Sequence, residues 1–161
     1  MGYTTDFEGA ITIDPPLNGS EIAYINKFSS TRRMNRTKGP YFIDGDGFMG
    51  QDDRGDVIDG NSPDPTQPGL WCQWNVNDDE IFWDGNEKFY SSAEWMTYII
   101  DHFLKEGAEA SKANDPQFKD FTFNHVCNGS IYAQGEDPND MWKLEVTGNS
   151  VVVRDGTVTY E

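Results

Sequence analysis

The sequence predicts an α+β fold: an antiparallel sheet with two helices on one face, arranged as a ferredoxin-like βαββαβ core followed by a C-terminal β-meander. Three observations predict it. Several short segments alternate apolar and polar residues, as half-buried strands do. Two other segments repeat apolar residues at the helical period. The segments follow one another as strand, helix, two strands, helix and strand, which is the split βαβ order.

In residues 3–13, Phe7, Ile11 and Ile13 fall on one face with Gly9 between them, while Asp6, Glu8 and Thr12 face away. Pro15 and Pro16 end this strand. Asn18 and Glu21 have capping-box spacing, and Ile22, Ile25 and Phe28 line one side of the helix they open, which fades near Ser30. Residues 38–68 are rich in Gly, Asp and Pro. Only Tyr41–Ile43 reads as a strand there, so a long acidic loop is expected, and such loops in compact domains tend to be functional or disordered. Leu70–Val76 and Glu80–Trp83 read as strands joined by a turn at Asn77, Asp78 and Asp79, with Lys88–Tyr90 extending the second.

Ser91 and Glu94 repeat the capping-box spacing. Trp95, Ile99, Ile100, Phe103 and Leu104 then form an apolar stripe, and Gly107 is a natural stop. The tail is all strand: Phe121–Gln134 with a break near Asn128-Gly129, Met141–Val146, Ser150–Arg154 and Thr157–Tyr160. Gly148-Asn149 and Asp155-Gly156 supply two-residue turns. The 161 residues fit one domain, and no linker or internal repeat divides them.

Charge is segregated. From Asp44 to Asp101 fourteen carboxylates face two cations, Arg54 and Lys88, whereas Lys27, Arg32, Arg33, Arg36 and Lys38 crowd into the run before. A net charge of −16 argues against direct binding of nucleic acid and against an anionic membrane surface. No apolar run reaches membrane-spanning length, and the first residues carry no signal-peptide pattern, so a cytoplasmic protein is expected. Cys72 and Cys127 read as free thiols filling the core.

Candidate sites follow from charge and rings. Asp44, Asp46, Asp52, Asp53, Asp56 and Asp59, with Asp78, Asp79 and Glu80, offer an acidic partner-binding face. The aspartates of the loop from Asp44 to Asp59 could hold calcium through hard oxygen ligands, but the EF-hand pattern fails: Met49 stands where Gly is needed and Gly55 where Glu is needed. Arg32, Arg33 and Arg36 offer planar forks for a phosphate-bearing ligand, or else complement the end of the first helix and hold the acidic loop by salt bridges. Trp71 and Trp83 could stack a ring. Alternation along Leu70–Val76 sends Trp71, Gln73 and Asn75 one way and Cys72, Trp74 and Val76 the other, so one tryptophan belongs to the core and one to a mixed face. A Cys72–His125 nucleophile pair has no accompanying oxyanion motif, and no zinc spacing links the cysteines to His102 or His125.

Gly2-Tyr3-Thr4-Thr5, Phe7-Glu8-Gly9, Thr31-Arg32-Arg33-Met34, the run from Gln67 to Trp74, Gly85–Tyr90, Glu94-Trp95 and Gly135-Glu136-Asp137 through Trp142 carry a distinctive spelling. It resembles a family of small bacteriophage and bacterial proteins with no assigned reaction. The resemblance covers nearly the whole chain and implies a stand-alone cytosolic, phage-type domain; it brings no catalytic residues. The functional expectation is a non-enzymatic acidic protein that occupies a basic, nucleic-acid-binding site on a host protein by charge mimicry. The alternative is a binder of a nucleotide or phosphate-bearing signal, built on Arg32, Arg33, Trp71 and Trp83.

Overall fold

Phe7, Ile11 and Ile13 are buried and Asp6, Glu8 and Thr12 exposed, so the first strand is built as its alternation requires. The structure, a computed structural model, describes residues 2–44 and 54–157. In chain order its elements are β1 (Thr5–Asp14), α1 (Gly19–Ser29), β2 (Met34–Arg36), β3 (Val57–Pro63), β4 (Trp74–Val76), β5 (Glu80–Trp83), α2 (Ser92–Ile99), β6 (Val126–Gly135), β7 (Met141–Thr147) and β8 (Ser150–Asp155). The fold is α+β. Six strands form one antiparallel sheet in the order β4-β5-β1-β6-β7-β8, and β2 pairs with β3 in a separate ribbon. The chain from β1 through α1 reaches β4 with β5 lying between the two strands. The chain from β5 through α2 reaches β6 with β1 between.

Both helices pack on the same sheet face. Tyr24, Ile25 and Phe28 of α1, and Trp95, Met96 and Ile99 of α2, share one core with Ile11, Trp74, Ile81, Ile131 and Leu144 of the sheet. The opposite face carries Glu8, Thr12, Asn128 and Tyr132, all exposed. Aromatic rings fill the core where aliphatics are scarce. Phe7 meets Trp74, Trp83, Phe89 and Trp142 edge-on at 5.3–5.9 Å. Such contacts add to the large area each ring buries.

β1 and β6 approach closely at two glycines. Gly9 lies opposite Ile131 and Gly129 opposite Ile11. A β-carbon on Gly9 would stand 2.8 Å from the Ser130 carbonyl oxygen, and one on Gly129 2.9 Å from that of Ala10. Both residues have positive φ, at 106° and 142°. The expected break at Asn128-Gly129 is therefore a local distortion inside a continuous strand. The Gly148-Asn149 turn forms as read, with positive φ at both residues and Thr147 opposite Ser150.

Other expectations need correction. The α1 capping box is complete: Asn18 accepts from the Glu21 N–H and Glu21 from the Asn18 N–H, each at 2.9 Å. The second box is not made, because Ser91 sits in the left-handed region at φ 58° and its side chain caps nothing. Beyond Ile99 the helix widens into a π turn, Ile100–Leu104, and ends at Lys105 rather than at Gly107. Tyr41–Ile43 is no strand, and Lys88–Tyr90 does not extend β5. The largest departure is in residues 38–68, where Val57–Pro63 forms β3 and pairs with the end of the basic run. The proposed strand over Thr157–Tyr160 lies largely outside the described residues.

Candidate functional site

The edge of the sheet at β4 borders a groove of about 1070 Å³. Of the expected strand Leu70–Val76 only Trp74–Val76 is built; Cys72, Trp74 and Val76 are buried, while Trp71, Asn75 and the largely buried Gln73 line this groove. Pro63, Pro68, Leu70 and Trp71 give the lining an apolar part. The stretch after β5 adds Asp84, Asn86, Glu87, Lys88 and Tyr90. The end of α1 contributes Asn26, Ser29 and Ser30.

Internal hydrogen bonds fix these walls. Asn26 donates to the Val76 carbonyl and accepts from its N–H, both at 2.9 Å, and Ser29 donates to the Trp74 carbonyl at 2.6 Å. These bonds satisfy the outer edge of β4, which no strand of the described residues covers. Gln73 donates to the Glu87 carbonyl at 3.1 Å and so ties the stretch after β5 to the segment that leads into β4. Asp84 accepts from the Asn86 N–H at 2.8 Å. Lys88 and Ser91 both sit at positive φ, 62° and 58°, and bracket Phe89 and Tyr90. Between them Phe89 turns inward onto Trp74, with ring centroids 5.0 Å apart, while Tyr90 stays 56% exposed on the groove wall. Trp83 lies elsewhere: it packs on Phe7, and its indole N–H reaches the Asn86 carbonyl at 3.1 Å. Of the two tryptophans singled out in the sequence, Trp71 lines the groove and Trp83 stands behind it, its N–H directed at the groove residue Asn86.

The arginines are structural. Arg33 is buried under the segment that follows it, its guanidinium 4.3 Å above the Phe28 ring. It donates to the carbonyls of Thr31, Pro40 and Phe42 at 3.1, 3.0 and 2.6 Å. Burial pulls its pKa down to about 10, still far above neutrality. Arg36 is also buried; it donates to the Arg32 carbonyl at 2.7 Å and stands over Phe42 at 5.0 Å. Arg32 is half-buried and donates to the Gly60 carbonyl in β3. The basic run therefore holds the following segment mainly through main-chain carbonyls. None of the three arginines lines the groove beside β4.

The acidic residues are divided among elements. Asp56 and Asp59 flank and join β3. Asp56 is bound by Lys38 at 2.9 Å and Thr37 at 3.1 Å. Asp59 is exposed, and the Asn61 N–H and Ser62 hold its carboxyl below the usual range. Asp78 and Asp79 project from the β4–β5 turn, and half-buried Glu80 opens β5. Asp44 is exposed at the end of the first described stretch. Among the described residues, Asp44, Asp59, Asp78, Asp79 and Glu80 form no ion pair with a basic side chain. Asp46, Asp52 and Asp53 lie outside the described residues. Among those described, no group of three or more carboxylate, imidazole or thiol ligands could hold a metal ion.

One buried polar site was not anticipated. Glu21 and His125 are both sealed from solvent, with Nε2 2.8 Å from Oε2. The other ring nitrogen lies 2.6 Å from the Pro15 carbonyl. A carbonyl and an ionised carboxylate only accept, so this geometry favours the protonated ring, with both nitrogens donating. Burial opposes that charge, but the bonds to Glu21 and Pro15 outweigh it and raise the His125 pKa. Burial likewise pushes Glu21 up, and the bonds from His125, Asn18 and Thr122 more than offset it, leaving the carboxyl lowered. With both nitrogens engaged, His125 cannot activate Cys72, and burial pushes that thiol to about 12. The signal in the sequence was faint: Glu21 was visible only as a capping residue.

The second histidine, His102, stacks on Tyr98 with centroids 3.7 Å apart and pairs its Nδ1 with the Tyr41 hydroxyl at 2.6 Å, while burial lowers its pKa. No helix of the described residues is long and apolar enough to cross a membrane. No protein-family model, curated protein or solved structure gives a significant match to this chain.

Proposed function

We propose that this protein is a non-enzymatic acidic binding protein that engages a basic site on a partner by charge complementarity. One observation carries the reading: Asp59, Asp78, Asp79 and Glu80 stand on regular elements or a tight turn and, among the described residues, form no ion pair with a basic side chain, in a chain of net charge −16. Carboxylates held on a ribbon and a tight turn are presented at fixed positions, which favours a complementary cationic surface and speeds encounter with it. The partner class that fits is a nucleic-acid-binding protein, whose phosphate site the carboxylates would occupy. In the phage setting implied by the sequence resemblance, that partner belongs to the host and the encounter takes place in its cytoplasm.

The test is capture from host lysate on the immobilised protein at low salt and at roughly 0.5 M salt, where screening is strong. Basic proteins retained at low salt, released at high salt and displaced by added DNA support the reading. Capture that is indifferent to both salt and DNA overturns it.

A further inference from the structure

We infer that the groove beside β4 is the seat for an arginine side chain on an extended basic segment of the partner; this rests on the reading of the protein as a binder of basic partners. The groove is larger than one side chain needs, and a volume near 1070 Å³ suits a few residues of extended chain. Its charged groups are Asp84 and Glu87 against Lys88 alone, so a phosphate would meet a net negative wall and a cation an attractive one. Trp71 and Tyr90 both bring aromatic rings to the lining. A guanidinium is the cation that both stacks on a ring and takes a carboxylate with two parallel N–H bonds. The chain already packs guanidinium on ring internally, Arg33 on Phe28 and Arg36 on Phe42.

A second observation points to a ligand independently of charge. The indole Nε1 of Trp95 is fully buried and has no hydrogen-bond partner among the described residues. It lies against Gly69, a groove residue, where a β-carbon would stand 3.6 Å from the nitrogen. Buried N–H groups are rarely left without an acceptor. The nitrogen is closed to water in the free chain, so a carbonyl from an extended segment seated at Gly69 would supply the acceptor only as the chain there gives way. The left-handed residues Lys88 and Ser91 on either side of Tyr90 agree with this, since such strain collects at ligand clamps.

The test is calorimetric titration of the full chain with a blocked octapeptide of alternating glycine and arginine. The same peptide with citrulline, which keeps the shape and loses the charge, is the control, and poly-lysine is a separate cationic probe. The expected result is binding of the arginine peptide, at least tenfold weaker binding of the citrulline peptide, and a loss of at least tenfold with Trp71→Ala and with the exposed-site variant Glu87→Gln. Poly-lysine binding should persist in both variants. If both peptides bind alike, or the arginine peptide binds the variants as well as the parent while poly-lysine still binds, the groove assignment falls and the charge reading stands. If neither cationic probe binds at low salt, both fall.

Discussion

The carboxamide of Asn26 pairs with both main-chain groups of Val76, at 2.9 Å each way, and so occupies the position that a further strand would take beside β4. A helix side chain here acts as a strand guard. Asn26→Ala is expected to cost about 1–2 kcal/mol, the scale of losing bonds to groups that water can partly reclaim. It should also promote self-association through the uncovered edge. Urea denaturation and sedimentation velocity check the two effects.

The Glu21–His125 pair makes stability depend on pH. His125 is raised, so its contribution is complete below the ordinary imidazole pKa and is lost as pH rises through its folded value. Glu21 is lowered, so its contribution is present above the ordinary carboxylate pKa and is lost as pH falls through its folded value. This pair therefore contributes most at roughly pH 5 to 6, between the two ordinary values. Glu21→Gln leaves a buried imidazolium without its counter-ion and should cost about 3–5 kcal/mol in that window and less at high pH. Thermal melts of both proteins across pH read this out, and a difference independent of pH would contradict the pairing.

Arg33 closes the segment after the basic run. Arg33→Met keeps much of the bulk but strips donors from the carbonyls of Thr31, Pro40 and Phe42. A loss of about 3 kcal/mol or more is expected, from several buried acceptors left without partners. Arg33→Lys should recover little, because an ammonium cannot reproduce the planar fork. Chemical denaturation gives the magnitude, and amide exchange at residues 41–43 shows whether that segment has come loose.

Both thiols should be silent in the folded protein. Cys72 and Cys127 are buried and unpaired, and burial pushes each to about 12. A disulfide-exchange reagent at mildly alkaline pH should modify neither until denaturant is added, and should then modify both.

Much of the fold is legible in the chain because burial enforces period. Phe7, Ile11 and Ile13 announced β1, Asn18 and Glu21 announced α1, and the Trp71-Gln73-Asn75 face was readable from alternation alone. What failed to show was non-local. β3 has the sequence Val-Ile-Asp-Gly-Asn-Ser-Pro and exists because it pairs with Met34–Arg36, a contact that no local pattern announces. Ser91 has the spelling of a cap, yet its backbone is committed to the left-handed turn that sends Phe89 inward and Tyr90 outward. Arginines in a run look available in sequence; here the core takes Arg33 because three carbonyls converge on it. The groove was half legible: Trp71 marked one wall, while Asp84, Glu87 and Tyr90 join it only through the folding of the stretch after β5.

The measurement that bears most directly on the central claim is the affinity for a basic DNA-binding protein captured from lysate, followed against salt concentration. The parent chain should be compared with the triple variant Asp78→Asn, Asp79→Asn, Glu80→Gln, which changes only side chains on the β4–β5 turn. Affinity for the parent should fall steeply and steadily with salt, and the variant should bind at least tenfold more weakly at low salt with a shallower dependence. Equal affinities and equal salt dependence for the two proteins would contradict the account.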